Sequence, residues 1–289
     1  MTPTSSAGTV LITGGTDGLG KATAVLLAQE GYRVFATGRN AERRAQLEAQ
    51  ARQKNLAIRA LEMDVCDDAS VDRAVSAVLE EAGEIDALIN NAGLGYYVVM
   101  EEVRMEDLRQ QFETNFFGVV RVTKRVLPGM RQRRRGRIVN ISSIAGKFAL
   151  PLFGPYSGSK FALEGMTDAL RLELYPFGIE VVLIEPGYIP TGFQGAARDH
   201  SLSYFKNPAS PYARVYQSYE QARRSLDRKG VTDTPEDCAR VVLRALRDTP
   251  PKARYTVTRT AAIASIAKRI LSDGMIDRRL RRTFSLRRE

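Results

Sequence analysis

Tryptophan is absent from the 289 residues, histidine occurs once, at His200, and cysteine occurs twice, at Cys66 and Cys238. A lone histidine speaks against a Ser–His–Asp relay and against a histidine-rich zinc site, so a catalyst in this chain would rely on groups other than imidazole. Two distant cysteines provide no disulfide framework, which fits a cytoplasmic setting. No apolar run reaches the ~18 residues of a membrane-spanning helix. Met1 to Gly8 is small and polar, without the basic and apolar regions of a signal peptide. Neither an internal repeat nor a low-complexity linker appears, which argues for one domain.

Acidic charge is in deficit, with a formal net charge of +10. Two clusters supply much of the excess: Arg131 to Arg137, and the tail from Arg278 to Arg288. Neither interleaves aromatics suited to base stacking, so no nucleic-acid partner is expected. They read as a solvated loop and a solvated tail, with peripheral contact to an anionic membrane as the minority reading.

Apolar runs and helix-forming runs alternate along the chain. Strands are predicted at Thr9–Thr13, Arg33–Thr37, Ala57–Glu62, Ala87–Ile89, Arg137–Ser142, Ile179–Ile184 and Ala253–Thr258. Between them fall helices ending near Glu30, Lys54 and Ala82, a long one over Glu101–Met130, one over Tyr156–Tyr175 and one over Pro235–Arg247. Residues 192–230 read as the least regular part. Ile263, Ile266, Ala267, Ile270 and Leu271 mark one last amphipathic helix. The expected fold is α/β: a doubly wound, Rossmann-type parallel sheet of about seven strands with helices on both faces.

Gly14-Gly15-Thr16-Asp17-Gly18-Leu19-Gly20 joins the first strand to the first helix. Such a turn brings helix N–H groups up to a pyrophosphate, although its spacing departs from G-x-G-x-x-G. After the second strand, Arg39 is available for a ribose 2′-phosphate, and no acid stands at Thr37 or Gly38 to claim a free diol; this favours NADP over NAD. Asp17 opposes that preference unless it faces solvent or pairs with Arg39. Asp64, at a strand end, could accept from an adenine amino group. Asn90 and Asn91 suit ties between neighbouring strands, and Asn115 lies inside an apolar helical run.

Tyr156 and Lys160 stand one helical turn apart on one face. A free phenol titrates near ~10, and a fixed ammonium nearby would lower that value. Ser143 ends the strand thirteen positions upstream of Tyr156. A hydroxyl, a phenol and an ammonium together suit proton transfer to a carbonyl oxygen while hydride comes from elsewhere. The bland alternative is a helical i, i+4 pair without function.

Taken together, these pieces resemble the short-chain dehydrogenase/reductase superfamily in its single-domain branch, over residues 7–258, with 259–289 as a basic amphipathic extension. Phe161-Ala162-Leu163-Glu164-Gly165 is similar to the 17β-hydroxysteroid and retinol dehydrogenase group. The resemblance implies Tyr156 as general acid or base and Ser143, rather than its rival Ser142, as hydrogen-bond donor to the substrate oxygen. It implies Lys160 on the nicotinamide ribose and Asn115 holding a water that links Lys160 to solvent. It assigns the dinucleotide to Gly14, Thr16, Asp17, Gly18, Leu19, Gly20, Arg39, Asp64, Val65, Asn91, Ala92 and Gly93. Tyr156, Lys160, Pro186, Gly187, Ile189 and Thr191 complete that set, Thr191 lying near the carboxamide.

The pocket of such a protein would draw on Leu94, Tyr96, Tyr97, Phe148, Leu150, Leu152, Phe153, Tyr188, Ile189 and Phe193, with Lys147 as the main charge. This lining suits an apolar alcohol or ketone, or fills core. A phosphorylated substrate would find only Lys147 and Arg198. The expected activity is NADP-dependent interconversion of an apolar alcohol and its ketone or aldehyde, without metal. The alternatives are the same chemistry with NAD, and a catalytically silent nucleotide sensor. A homodimer or homotetramer is expected through the helices bearing Asn115 and Tyr156, and the tail after Thr260 is expected to pack near the pocket.

Overall fold

The computed structural model describes residues 7–228 and 233–286. Most of the polar N-terminal stretch, the last residues of the irregular region and Arg287–Glu289 of the basic tail lie outside the described residues.

Seven strands are found among the described residues: β1 (Thr9–Ile12), β2 (Arg33–Gly38), β3 (Ile58–Glu62), β4 (Ala87–Asn90), β5 (Gly136–Ile141), β6 (Ile179–Glu185) and β7 (Arg254–Thr256). They form one all-parallel sheet in the order β3-β2-β1-β4-β5-β6-β7. The helices are α1 (Gly18–Gln29), α2 (Ala41–Gln53), α3 (Asp68–Ala82), α4 (Met105–Phe112), α5 (Gly118–Arg133) and α6 (Gly154–Leu174), then α7 (Gly192–Phe205), α8 (Ala213–Arg228), α9 (Pro235–Arg247), α10 (Arg259–Ile270) and α11 (Asp273–Thr283).

Val10, Leu11 and Ile12 are all buried because the sheet is covered on both faces. Val10 and Ile12 pack with Leu27 of α1 and Val242 of α9. Leu11 points the other way, into Val75 of α3 and Val126 of α5. The chain runs outward from β1 to β3, then crosses to β4 on the opposite side of β1. That reversal opens a crevice beyond the carboxyl ends of β1 and β4, the place where such sheets bind ligands.

Four expectations change. The long helix over Glu101–Met130 is broken: α4 and α5 flank a π-helical turn at Glu113–Phe117 that carries Asn115. The region read as irregular contains α7 and α8. Thr191 starts α7 with a capping box, its side chain and that of Gln194 bonding reciprocally to the backbone. The amphipathic helix read at Ile263–Leu271 is present as α10, and a further helix that was not expected, α11, follows it after Leu271–Ser272. The basic cluster at 131–137 is knitted into the body. Arg133 and Arg135 pair with Glu84 at 3.1 and 2.8 Å. The Arg137 guanidinium donates to the carbonyls of Ala245, Leu246 and Asp248 at 2.6–2.9 Å, satisfying groups that the end of α9 leaves open.

A third apolar cluster lies outside the sheet layers. It joins Tyr96, Tyr97 and Val98 after β4, Leu152 before α6, Ala197 and Tyr204 of α7, and Tyr216 and Tyr219 of α8. Phe284 packs into it, with Leu280 and Leu286 against its edge. The tail therefore does dock on this side of the molecule, through the end of α11. Among the described residues no helix is long and apolar enough to cross a membrane.

Candidate active site

The turn between β1 and α1 is shaped by close approaches of backbone. Gly14 has φ +61°, and a Cβ there would lie 2.9 Å from the Cα of Ala92. A Cβ on Gly20 would run into the Gly14 carbonyl and come within 2.5 Å of Asn91 Nδ2. Asn91 is the clamp: its Nδ2 donates to the carbonyls of Thr13 and Gly14 at 3.0 and 2.9 Å. Thr13 Oγ1 in turn accepts from the amides of Asn91 and Ala92, each at 3.0 Å. Asn90 reaches the other way, donating to Asn140 Oδ1 at 2.9 Å and to Thr123. Both asparagines thus tie neighbouring strands together as expected.

Asp17 caps α1 by accepting from the Gly18 amide at 2.8 Å. Thr191 caps α7 directly opposite, its Cβ 3.7 Å from where a Cβ on Gly18 would stand. The N-termini of α1 and α7 therefore stand close together at the glycine turn, and helix N-termini suit an anion. Thr16 is buried beneath Gly38, and the Leu19 side chain packs on the core. The side chains of Val65 and Ile189 are buried as well. Pro186 accepts from the Ile144 amide at 2.9 Å, and Gly187 lets Thr258 close against it.

At the end of β2 the charges pair differently from the expectation. Asp17 binds Arg43 at 2.6 Å, not Arg39. Arg39 lies 3.6 Å from Asp64 Oδ2, while Asp64 Oδ1 accepts from the Cys66 amide. Arg44 bonds to the carbonyls of Gly38 and Arg39 and pairs with Glu62 at 3.0 Å. Arg39 thus has the longest of the three pairings and is the most exposed of the three arginines. Sequence reasoning did not single out Arg43 and Arg44, which lie in the first turn of α2. The signal was Asn40, whose side chain caps α2 and turns the helix's first arginines back toward the strand end. A cleft of about 400 Å³ opens here, lined by Arg39, Asp64, Cys66, Gly93, Arg109 and Thr114 among others.

Ser143, Tyr156 and Lys160 come together past the end of β5. Ser143 is extended and caps the short turn Ile144–Gly146, accepting from the Ala145 amide at 3.1 Å. Lys160 Nζ donates to the carbonyl of Ile141, the last residue of β5, at 2.8 Å. It stands 5.8 Å from the centre of the Tyr156 ring. Burial pushes the Tyr156 phenol up to about 12, with the facing Ser143 hydroxyl working the other way. The direction is opposite to the lowering expected of a nearby ammonium, because burial disfavours the phenolate. Burial also lowers Lys160, to about 8, against the pull of Glu164 one turn further along α6.

Asn115 spends its whole amide on the protein. Its Oδ1 accepts from the Leu94 amide at 2.8 Å, and its Nδ2 donates to the Leu94 carbonyl and to Ser159 Oγ at 2.9 and 3.0 Å. Gln111, unnoticed in the sequence, reinforces it by donating to the same Leu94 carbonyl and accepting from the Tyr96 amide at 2.9 Å. Together they brace the segment after β4 against the helix that bears Tyr156.

On the substrate side, Phe153 and Phe193 stand against the Tyr156 ring at centroid distances of 6.3 and 5.7 Å. Tyr97 stacks on Phe153 at 4.7 Å. Tyr96, Tyr97 and Leu152 are buried in the aromatic cluster, so they support the wall more than they present it. The two cations weighed for a phosphorylated substrate are both engaged: Lys147 with buried Glu185 at 2.8 Å, and Arg198 with Glu220 at 3.6 Å.

Residues 8–202 match the family described as short chain dehydrogenase. The chain belongs to that family. Retinol dehydrogenase 8 of Homo sapiens is 35% identical over 275 residues, covering 93% of this chain and 87% of that protein. The 3-ketodihydrosphingosine reductase of Bacteroides thetaiotaomicron is 45% identical over 185 residues, covering 64% of this chain but only 65% of that relative's length. Among solved structures, a single-substitution variant of actinorhodin polyketide ketoreductase with NADPH superposes with a TM-score of 0.74 at 32% identity, over 86% of this chain and 95% of the other. A short chain dehydrogenase/reductase from Burkholderia phymatum in complex with NAD gives 0.77 at 26%, over 90% and 92%. As a family member the chain is an NAD(P)-dependent oxidoreductase, and its seven-stranded parallel sheet is the fold of these neighbours.

Proposed function

We propose that this oxidoreductase interconverts an apolar secondary alcohol and its ketone, or an alcohol and its aldehyde, with NADP(H), and that Tyr156 is its general acid and base. The observation that carries the reading is the meeting of Ser143, Tyr156 and Lys160 against Phe153 and Phe193. Gly14, Gly20 and the paired N-termini of α1 and α7 fit a dinucleotide, since a Cβ at either glycine would collide with backbone there. The dinucleotide supplies hydride chemistry. The chain's own groups handle charge and proton. As a carbonyl carbon is reduced, negative charge grows on its oxygen; the Ser143 hydroxyl donates a hydrogen bond to it and Tyr156 gives it a proton. A phenol near 12 is fully protonated at neutral pH, the state that reduction requires. Lys160, held by the Ile141 carbonyl, keeps positive charge within reach of the phenolate that forms.

The NADP preference rests on Arg39, exposed and held only at 3.6 Å by Asp64, with Arg43 neutralising Asp17. A guanidinium can fork onto a 2′-phosphate. The second reading, NAD, draws on the same corner, because Asp17 and Asp64 both face it. Rates with NADPH and NADH across a panel of apolar ketones and aldehydes test the proposal. A protein that turns over no carbonyl substrate, or that prefers NADH, would refute the corresponding part. A homodimer or homotetramer is proposed through the α5–α6 face, where Phe117, Phe161, Leu172 and Tyr175 are exposed. Light scattering at micromolar concentration tests it, and a monomer mass would count against it.

A further inference from the structure

Helix α10 wears its side chains inside out. Its inner face is made of small groups: Ala261 is buried, Ala264 is half-buried, and the Ser265 hydroxyl oxygen is buried as well. Its outer face carries Ile263, Ile266 and Ile270, which are 67, 57 and 75% exposed. Positions i, i+3 and i+7 fall on one stripe of a helix. Met275, 53% exposed, follows at the start of α11. An ordinary surface helix of a globular protein puts such residues inward, and a cluster of large exposed apolar groups marks an interaction site. The helix is not a loose end. Thr258 caps it at the Ala261 amide, and it packs against the Ile144–Gly146 turn that follows Ser143.

The surroundings of this stripe are basic. Between Arg259 and Leu286 the sequence holds seven arginines and lysines against two aspartates. Lys268 pairs with Asp273. Arg278, Arg279, Arg281 and Arg282 are exposed on α11 and make no salt bridge among the described residues. From the apolar stripe and this charge together we infer that the α10–α11 face docks on the surface of an anionic lipid bilayer, with the isoleucines in the acyl boundary and the arginines at the headgroups. A basic amphipathic helix lying in the interface plane binds through this combination of apolar burial and attraction to anionic lipid. A second copy of the chain is the poorer occupant, because an isologous contact would set one arginine-rich α11 near another on molecules of net charge +10. The inference does not rest on the proposed reaction, since its readout is binding.

The test is flotation of the full chain with vesicles of phosphatidylcholine alone and of phosphatidylcholine containing about one quarter phosphatidylglycerol. The chain should float with the mixed vesicles and not with the neutral ones. Two variants, I263S/I266S/I270S and R279E/R282E, should each lose roughly tenfold or more of that partitioning while keeping the wild-type melting temperature. Failure of the wild type to float, equal flotation with both vesicles, or unchanged flotation of either variant overturns the inference. So does light scattering in which the isoleucine variant halves the particle mass, which would assign the stripe to a second copy.

Discussion

On the β1–α1 side of the cleft, the surface offered to a ligand is backbone; on the side formed by α6, α7 and α8, it is aromatic side chain. The first is set by Gly14 and Gly20, where an added Cβ meets main-chain atoms, and by Asn91 and Thr13, whose bonds hold that main chain still. The second presents Phe153 and Phe193, backed by a buried raft of rings in which Tyr97 stacks on Phe153, both are tilted against Tyr219, and Phe205 stands edge-on to Tyr216. Phenol–carboxylate bonds moor it, Tyr204 to Asp107, Tyr212 to Glu101 and Tyr216 to Glu102. Under the proposed function the contrast separates two jobs. Backbone recognition allows little variation and suits a ligand that never changes. Side-chain recognition can be retuned one ring at a time and suits a substrate.

The Tyr156 ring stands against Phe153 and Phe193, so removing its hydroxyl alone should silence the chemistry and leave both walls intact. Tyr156→Phe is expected to lower kcat by about 100- to 10,000-fold with dinucleotide affinity nearly unchanged, measured by nicotinamide absorbance and fluorescence titration. A variant of wild-type activity would remove the proton donor from the mechanism. Breaking the backbone wall comes next. Gly20→Ala should cost about 1–3 kcal/mol of stability and weaken the dinucleotide more than the substrate, read from melting and from the two KM values. Arg39→Ala should shift the NADPH/NADH ratio of kcat/KM about ten- to hundredfold toward NADH. An unchanged ratio would point instead to Arg43. On the aromatic wall, Phe153→Leu should raise KM for apolar substrates by about fivefold, since ring–ring contacts contribute about 1 kcal/mol, and leave the dinucleotide KM alone.

The smallest effect expected is on pH. With Lys160 near 8, carbonyl reduction should decline as pH rises through about 8 and the ammonium is lost. Stability should move oppositely. Between about 8 and the ordinary value of 10.5 the unfolded chain holds a proton on Lys160 that the folded chain lacks, so folding gains as pH rises. Glu164→Gln should move the activity inflection lower, because Glu164 is the group that favours the charged lysine. A rate that stays flat to about pH 10 would mean Lys160 keeps its proton.

The backbone wall was legible in the sequence and the aromatic wall much less so. A strand, three spaced glycines and a helix leave few foldings, and Tyr156 with Lys160 needs only helical spacing. Asp17 and Arg39 were both identified, but their partners were not, because pairing depends on where Asn40 turns α2. Residues 192–230 looked irregular because their tyrosines pack against Tyr97 and Phe153 from distant parts of the chain, so the apolar pattern follows no simple helical period. The arginines at 133–137 looked solvated because their partners, Glu84 and the end of α9, lie far away in sequence. The raised phenol could not be read at all, since spacing reports who is near but not how much water has left.

The π-helical turn at Glu113–Phe117 is a place where length matters as well as identity. Such a turn holds one residue more than the α-helix around it. Deleting any one of these five residues would let α4 and α5 fuse into one smooth rod, which local hydrogen bonding would favour. The deletion would leave α4 and α5 in nearly the same phase but remove the wide turn itself, moving residues within it by about 100° around the axis. Asn115 would then face away from Leu94 and Ser159, and the brace would be lost without any change to its chemistry. Descendants of this sequence should therefore tolerate exchanges at exposed Phe117 far better than a lost codon beside it.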